Sequence, residues 1–173
     1  MKDSENKKLE IEKTGEDLFD FAIDREDVKW LLDRLPPEAD IKRTTVEYEL
    51  QILKIIGVGW SISYYLADSP QKTTLLELYW NAINEFSRNL TTTMEYLIGQ
   101  DINYFQVLKD RLDLYVDVMT RHSDVSDPAQ VIGRQFSKNC GNEEDIFTFM
   151  TGSKMFISAT SKVRQYLEAI KLR

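Results

Sequence analysis

The stretch SPQKTTLLELYWNAINEFSRNLTTTMEYLIGQDINYFQVLKDRLDLYVDVMTR, residues 69–121, decides the fold. Within it Leu76, Tyr79, Ile83, Phe86, Leu90, Met94 and Leu97 recur three and four apart, as do Phe105, Leu108, Leu112, Tyr115 and Met119. Such spacing puts each set on one face of an α-helix. Ser69-Pro70 supplies a capping residue followed by proline at a first helical position, and Gly99 is placed for a left-handed terminator after Ile98. Asp101 is the expected cap of the second helix. The short turn between the two predicts an antiparallel hairpin, and the rows read as a coiled-coil-like seam between them.

Working outward, the preceding segment LQILKIIGVGWSISYYLA, residues 50–67, is apolar on two sides. One row is Val46, Leu50, Leu53, Trp60 and Tyr64; the other is Tyr48, Ile52, Ile55, Ile62 and Leu66. A helix of this kind, Val46–Leu66, belongs at the centre of a bundle, because both rows need covering. Its length approaches that of a membrane span, but Lys54 and polar serine and glutamine positions dilute it, so no transmembrane span is predicted. Before it, Asp24 caps a short helix over Arg25–Leu35 that Pro36-Pro37 ends. After the hairpin, Asp127-Pro128 opens a helix to about Cys140, ended by Gly141. Asn142 caps a last segment whose buried row is Ile146, Phe149, Phe156, Val163, Leu167 and Ile170, with a break at Thr151-Gly152-Ser153. Residues 1–16 alternate Lys with Asp and Glu and are expected to be a disordered charged tail. The fold class that results is all-α: an up-and-down bundle of about five helices over residues 17–173, as one domain.

With 7 Gly and 4 Pro in 173 residues, the chain lacks the turn residues that a sheet protein of this size requires. Its formal charge of −7 excludes a general nucleic-acid binder, which displaces counterions with a basic surface. The same charge disfavours anionic membrane surfaces. Cys140 is the single cysteine, which excludes an internal disulfide and points to a reducing, cytoplasmic location. The first eight residues hold no apolar stretch, so no signal peptide is read there.

No arrangement of reactive side chains emerges. One histidine, His122, has no glutamate three residues before it, which excludes the usual di-iron bundle, and one cysteine excludes a thiolate zinc site. Asp110, Asp113 and Asp117 share a helical face, which reads as a solvated surface beside Lys109 and Arg111. Gly57-Val58-Gly59 lacks the third glycine and the Lys-Ser/Thr pair of a phosphate loop. No catalytic residue, metal site or cofactor is therefore expected. Gly57 and Gly59 read first as positions where a neighbouring helix approaches closely. The alternative is a small-ligand pocket, or an unusual active site, built from Gly57, Gly59, Trp60, Tyr64 and Tyr79, since aromatic side chains gather on these two consecutive helices.

From the third helix onward the layout resembles the phasins, helical proteins that coat polyhydroxyalkanoate storage granules. The resemblance covers roughly residues 75–173: a long helix at Leu75–Ile98, a second at Ile102–Arg121, the phrase Leu112-Asp113-Leu114-Tyr115-Val116-Asp117, then Asp127-Pro128-Ala129-Gln130 opening another helix and a final amphipathic one. It departs at Gly141-Asn142, which interrupts the final helix, and at Val46–Leu66, which lies outside the match. The resemblance implies no catalytic residues. The coiled-coil-like rows and the absence of reactive clusters point to a non-enzymatic protein that binds a protein partner, itself, or a hydrophobic surface, and the resemblance offers a storage granule as such a surface.

Overall fold

The computed structural model describes residues 2–37, 42–99 and 102–172, and contains no strand among them. Its organising element is α3 (Arg43–Tyr65), which is apolar on two sides as expected and is covered by neighbours over most of its length, with Tyr48 and Tyr64 of the two rows left exposed. Val46, Leu50, Leu53, Ile55, Val58 and Ile62 are fully buried along it. The helices around it are α1 (Lys2–Ile23), α2 (Glu26–Leu32), α4 (Lys72–Ile98), α5 (Tyr104–Arg121), α6 (Pro128–Asn139) and α7 (Ile146–Ala169). Each of the seven contributes to one continuous apolar cluster. None is long and apolar enough to cross a membrane among the described residues.

Among the described residues seven helices stand where about five were expected, and the largest correction is at the N-terminus. The segment expected to be disordered over residues 1–16 is helical from Lys2. From Ile11 onward its exposed side carries Lys13 and Glu16, and Lys13 pairs with Asp17 at 2.9 Å. The other side carries Ile11, Thr14, Gly15, Leu18 and Ala22, spaced three and four apart, and packs on α4 and α3. Gly15 sits against Leu78, where a Cβ would approach the Leu78 Cβ to 3.1 Å. Alternating charge concealed a stripe that begins at Ile11.

The hairpin of α4 and α5 forms, with Gly99 in the left-handed region at φ 64°. Asn103 is the cap, its side chain accepting from the Gln106 amide at 3.0 Å; Asp101 lies outside the described residues. The rows do not close on each other as a coiled-coil seam. Tyr79 donates its hydroxyl to the Ile55 carbonyl at 2.7 Å, and Phe86 meets Phe19 of α1 edge-on at 6.1 Å. On α5, Tyr104 meets Tyr48 of α3 at 5.9 Å. The α4 row thus reaches α3 and α1, and the α5 row reaches α3 at Tyr104, while the two helices also pack on each other. Met94 and Leu97 lie outside the residues whose side chains are described. The simple up-and-down order also fails at α1, which runs beside α4 in the same direction, Gly15 at Leu78 and Phe19 at Phe86.

In the C-terminal part, Asp127 caps α6 through the Ala129 amide at 3.0 Å with Pro128 at its start, and Gly141 follows its end at φ 76°. Asp145, not Asn142, caps α7, accepting from the Thr148 amide at 2.7 Å. Helix α7 runs unbroken through Thr151-Gly152-Ser153. Those small residues do not end it; they let α6 approach, with Gly152 against Phe136 and Ser153 donating to the Ala129 carbonyl at 2.9 Å.

Candidate functional site

The five residues considered for a ligand pocket do not converge. Tyr79 is fully buried with its hydroxyl satisfied by Ile55. Gly59 is filled from outside by the Trp80 ring, which overlaps the place a Cβ would take. Gly57 receives Ala159 and Phe156 of α7, a Cβ there lying 3.5 Å from the Ala159 Cβ. Both glycines thus serve close helix approach. Tyr64 is exposed and stacks on Trp60 at 4.7 Å with the planes 13° apart. Trp60 leans on Phe156 at 5.5 Å and borders a recess of about 280 Å³ that also includes Met119, His122 and Val131.

Other residues weighed for chemistry have structural partners. Asp110 accepts from Gln106 at 2.8 Å and Asp117 pairs with Arg121. Among the described residues no three His, Cys, Asp or Glu side chains gather as a metal would need. The Cys140 thiol is pushed up to about 12 by burial and by the nearby Glu49 carboxylate. The thiolate is the reactive form. Labelling of Cys140 by a disulfide reagent at pH 8 is therefore expected to run at least about a hundredfold slower in the folded chain than in the unfolded one. Equal rates in the two states would contradict the burial.

Two buried charges on α3 were not picked out from sequence. Glu49 is buried and receives the Arg111 side chain of α5 in a two-pronged contact, Nη2 at 2.6 Å and Nε at 2.9 Å. Lys54 is fully buried; its ammonium donates to the Asp24 carbonyl at 2.8 Å, lies 3.3 Å from Asp27 and sits 4.4 Å over the Phe21 ring. Burial lowers the Lys54 pKa, against the pull of Asp27 and Asp24. Burial opposes ionisation of Asp27 too, but hydrogen bonding to Lys162 at 2.8 Å and the charge of Lys54 outweigh it and bring its pKa down. These groups join α2, α3 and α7. They are saturated by one another and offer no free acid or base.

The surface feature with the clearest chemical character lies on α7. Its buried side mixes small residues, Thr148, Thr151, Gly152 and Ala159, with the larger Met155, Phe156, Val163 and Leu167. On the opposite side Ile146, Phe147, Met150 and Ile157 remain 61%, 42%, 43% and 50% exposed. Ile146 was expected in the core row and is corrected here, as is Ile170, which is also exposed; Phe149 is half-buried, while Phe156, Val163 and Leu167 are buried as expected. α6 and α3 approach α7 where its side chains are small, Gly152 against Phe136 and Ala159 against Gly57, and Ile146, Met150 and Ile157 lie on the opposite side. Beside this face, α2 presents Trp30, 52% exposed, with the Arg34 guanidinium 3.5 Å from its ring centroid. A recess of about 300 Å³ lined by Leu35, Pro36, Phe147 and Met150 joins the two helices. The signal was present in the sequence, since α7, like α3, is apolar on two sides.

No protein-family model, curated protein or solved structure shows significant similarity to the chain.

Proposed function

We propose that this chain is a non-enzymatic interaction protein that binds an apolar partner surface through the joint face of α2 and α7. The observation that carries the proposal is the exposure of Ile146, Phe147, Met150 and Ile157 along one side of α7, with Trp30 exposed on α2. A helix apolar on two sides needs covering on two sides, and among the described residues the chain covers one. Contiguous apolar surface of this kind marks a contact site in proteins that otherwise keep such residues apart. The saturated state of the buried charges supports the absence of catalysis. The occupant is an apolar helix face, from a second copy or another protein. The resemblance to phasins adds a storage granule as a further apolar surface. A reducing, cytoplasmic setting suits the single Cys140.

The test is sedimentation velocity over a wide concentration range, together with co-sedimentation with polyhydroxyalkanoate granules. Wild type is expected to self-associate or to pellet with granules. Met150→Glu combined with Ile157→Glu is expected to abolish whichever occurs, while stability stays within about 1 kcal/mol because both side chains are already half in water. A wild type that remains monomeric and stays in the supernatant, or a double variant that behaves like wild type, overturns the reading.

A further inference from the structure

Charge distinguishes the occupants that the α2–α7 face could take. Beside its apolar lining, the open recess between the two helices holds two charged side chains, Arg34 and Lys154, and no carboxylate among the described residues. That is the minority sign on a chain with 29 acidic and 22 basic residues. Both side chains are exposed, and no described carboxylate stands within ion-pair distance of either. Elsewhere the chain matches such groups within itself: Arg25 with Glu47, Arg121 with Asp117, Lys138 with Glu143. Along α7 the first exposed carboxylates lie outside the apolar row, at Glu144 before it and Glu168 beyond it, and Asp33 is paired with Arg43.

The two cations are also placed to be used. Lys154 follows Met150 by four residues and precedes Ile157 by three, so helical spacing sets an ammonium inside the row and not at its border. The Arg34 guanidinium rests over the Trp30 ring, which restrains the side chain and lowers the entropy that an ion pair would cost it. A neutral apolar surface laid on this row takes water from the ammonium and returns no partner, and a basic one is repelled. A carboxylate set among apolar side chains meets both cations. From Ile146 to Ile157 the row runs about 16 Å along the α7 axis, a length that a helix laid alongside covers in three turns.

We propose that the occupant of the α2–α7 face is an amphipathic helix of another protein bearing Asp or Glu beside its apolar row, with an apolar side chain in the recess and its carboxylates on Arg34 and Lys154. This rests on the interaction face proposed above and adds the charge of the partner.

The probes are two synthetic amphipathic helices with one leucine row in common, flanked by glutamate in the first and by lysine in the second. Each is titrated into the full-length chain by calorimetry. The net charge of −7 favours the basic peptide everywhere else on the molecule, so a preference for the acidic one reports this face and not the overall field. The acidic peptide is expected to bind saturably, one per chain, and at least about tenfold more tightly than the basic one. The gap is expected to narrow to about twofold in about 1 M salt. Arg34→Glu with Lys154→Glu should reverse the order, and the milder Arg34→Gln with Lys154→Gln should bring the two peptides within about twofold of each other. Met150→Glu with Ile157→Glu should abolish binding of both. Equal or reversed affinities in wild type, no binding of either peptide, or an acidic preference that survives the charge reversal overturns the proposal. A wild type that takes neither peptide, yet self-associates or pellets with granules through Met150 and Ile157, keeps the face and refutes the acidic partner. Peptide binding that survives Met150→Glu with Ile157→Glu removes the face itself.

Discussion

Replacing Arg111 with alanine is expected to lower the unfolding free energy by about 3–5 kcal/mol. Glu49 lies in the interior, and two of the Arg111 nitrogens meet its carboxylate at 2.6 and 2.9 Å. Removing the guanidinium leaves a carboxylate out of water without its counter-charge, and the desolvation that the pair had offset is then uncompensated. Arg111 itself is about a quarter exposed, which moderates what its own transfer costs. The decisive comparison is a double-mutant cycle. Glu49→Leu with Arg111→Met should recover most of the loss, because an apolar pair of similar bulk leaves no charge stranded. Urea unfolding of the four proteins measures it. An Arg111→Ala loss under about 1 kcal/mol, or a double variant as unstable as the single one, would show that the pair is solvated.

The second large effect is at the crossing of α6 and α7. In Gly152→Ala the new Cβ would lie 2.5 Å from the Cγ and Cδ1 of Phe136 and 2.7 Å from its Cβ. Phe136 is fully buried and cannot swing aside, so the two helices must separate. A loss of about 2–3 kcal/mol is expected, although alanine in place of glycine gains about 1 kcal/mol of helix propensity. Gly57→Ala supplies the contrast. Its Cβ would meet the Ala159 Cβ at 3.5 Å, an ordinary contact, so propensity is free to act and the variant should equal or exceed wild type by up to about 1 kcal/mol. Thermal unfolding of both variants reads the difference in sign. Two equal shifts would mean that the crossing relaxes around the added methyl.

Where the chain could be read in advance, and where not, has a consistent physical cause. Periodicity of large apolar residues was enough to find α2, α3, α4 and α5, and proline and glycine marked helix ends, as at Pro128 for α6 and Gly99 for α4. Periodicity failed where small residues do the packing. In α1 the buried positions include Thr14, Gly15 and Ala22, and in α7 Thr148, Thr151, Gly152 and Ala159, none of which registers as hydrophobic bulk. Those residues admit a neighbour closely, and so they decide which side of a two-sided helix faces inward. Partner choice was also hidden: the spacing of α4 and α5 shows that each has an apolar face, but which surface covers it depends on what the third helix offers. Of the five residues considered for a pocket, the nearness of Trp60 and Tyr64 came from helical spacing alone, whereas Tyr79, Gly57 and Gly59 were drawn into packing by Ile55, Phe156, Ala159 and Trp80. The open recess lined by Ile23, Tyr48, Leu90 and Tyr104 draws its walls from segments far apart in sequence, which no local pattern records.

The pair of opposite charges on α3 has a mechanical meaning. Oily side chains on two flanks leave a rod nearly indifferent to rolling about its long axis, since one greasy surface substitutes for another. Glu49 and Lys54 remove that indifference: one is keyed to Arg111 and the other to Asp24 and Asp27, on separate neighbours. Turning α3 by a single residue, about 100°, would pull both ions from their sockets at once. Its azimuth is thereby fixed, and every helix that leans on it inherits the setting.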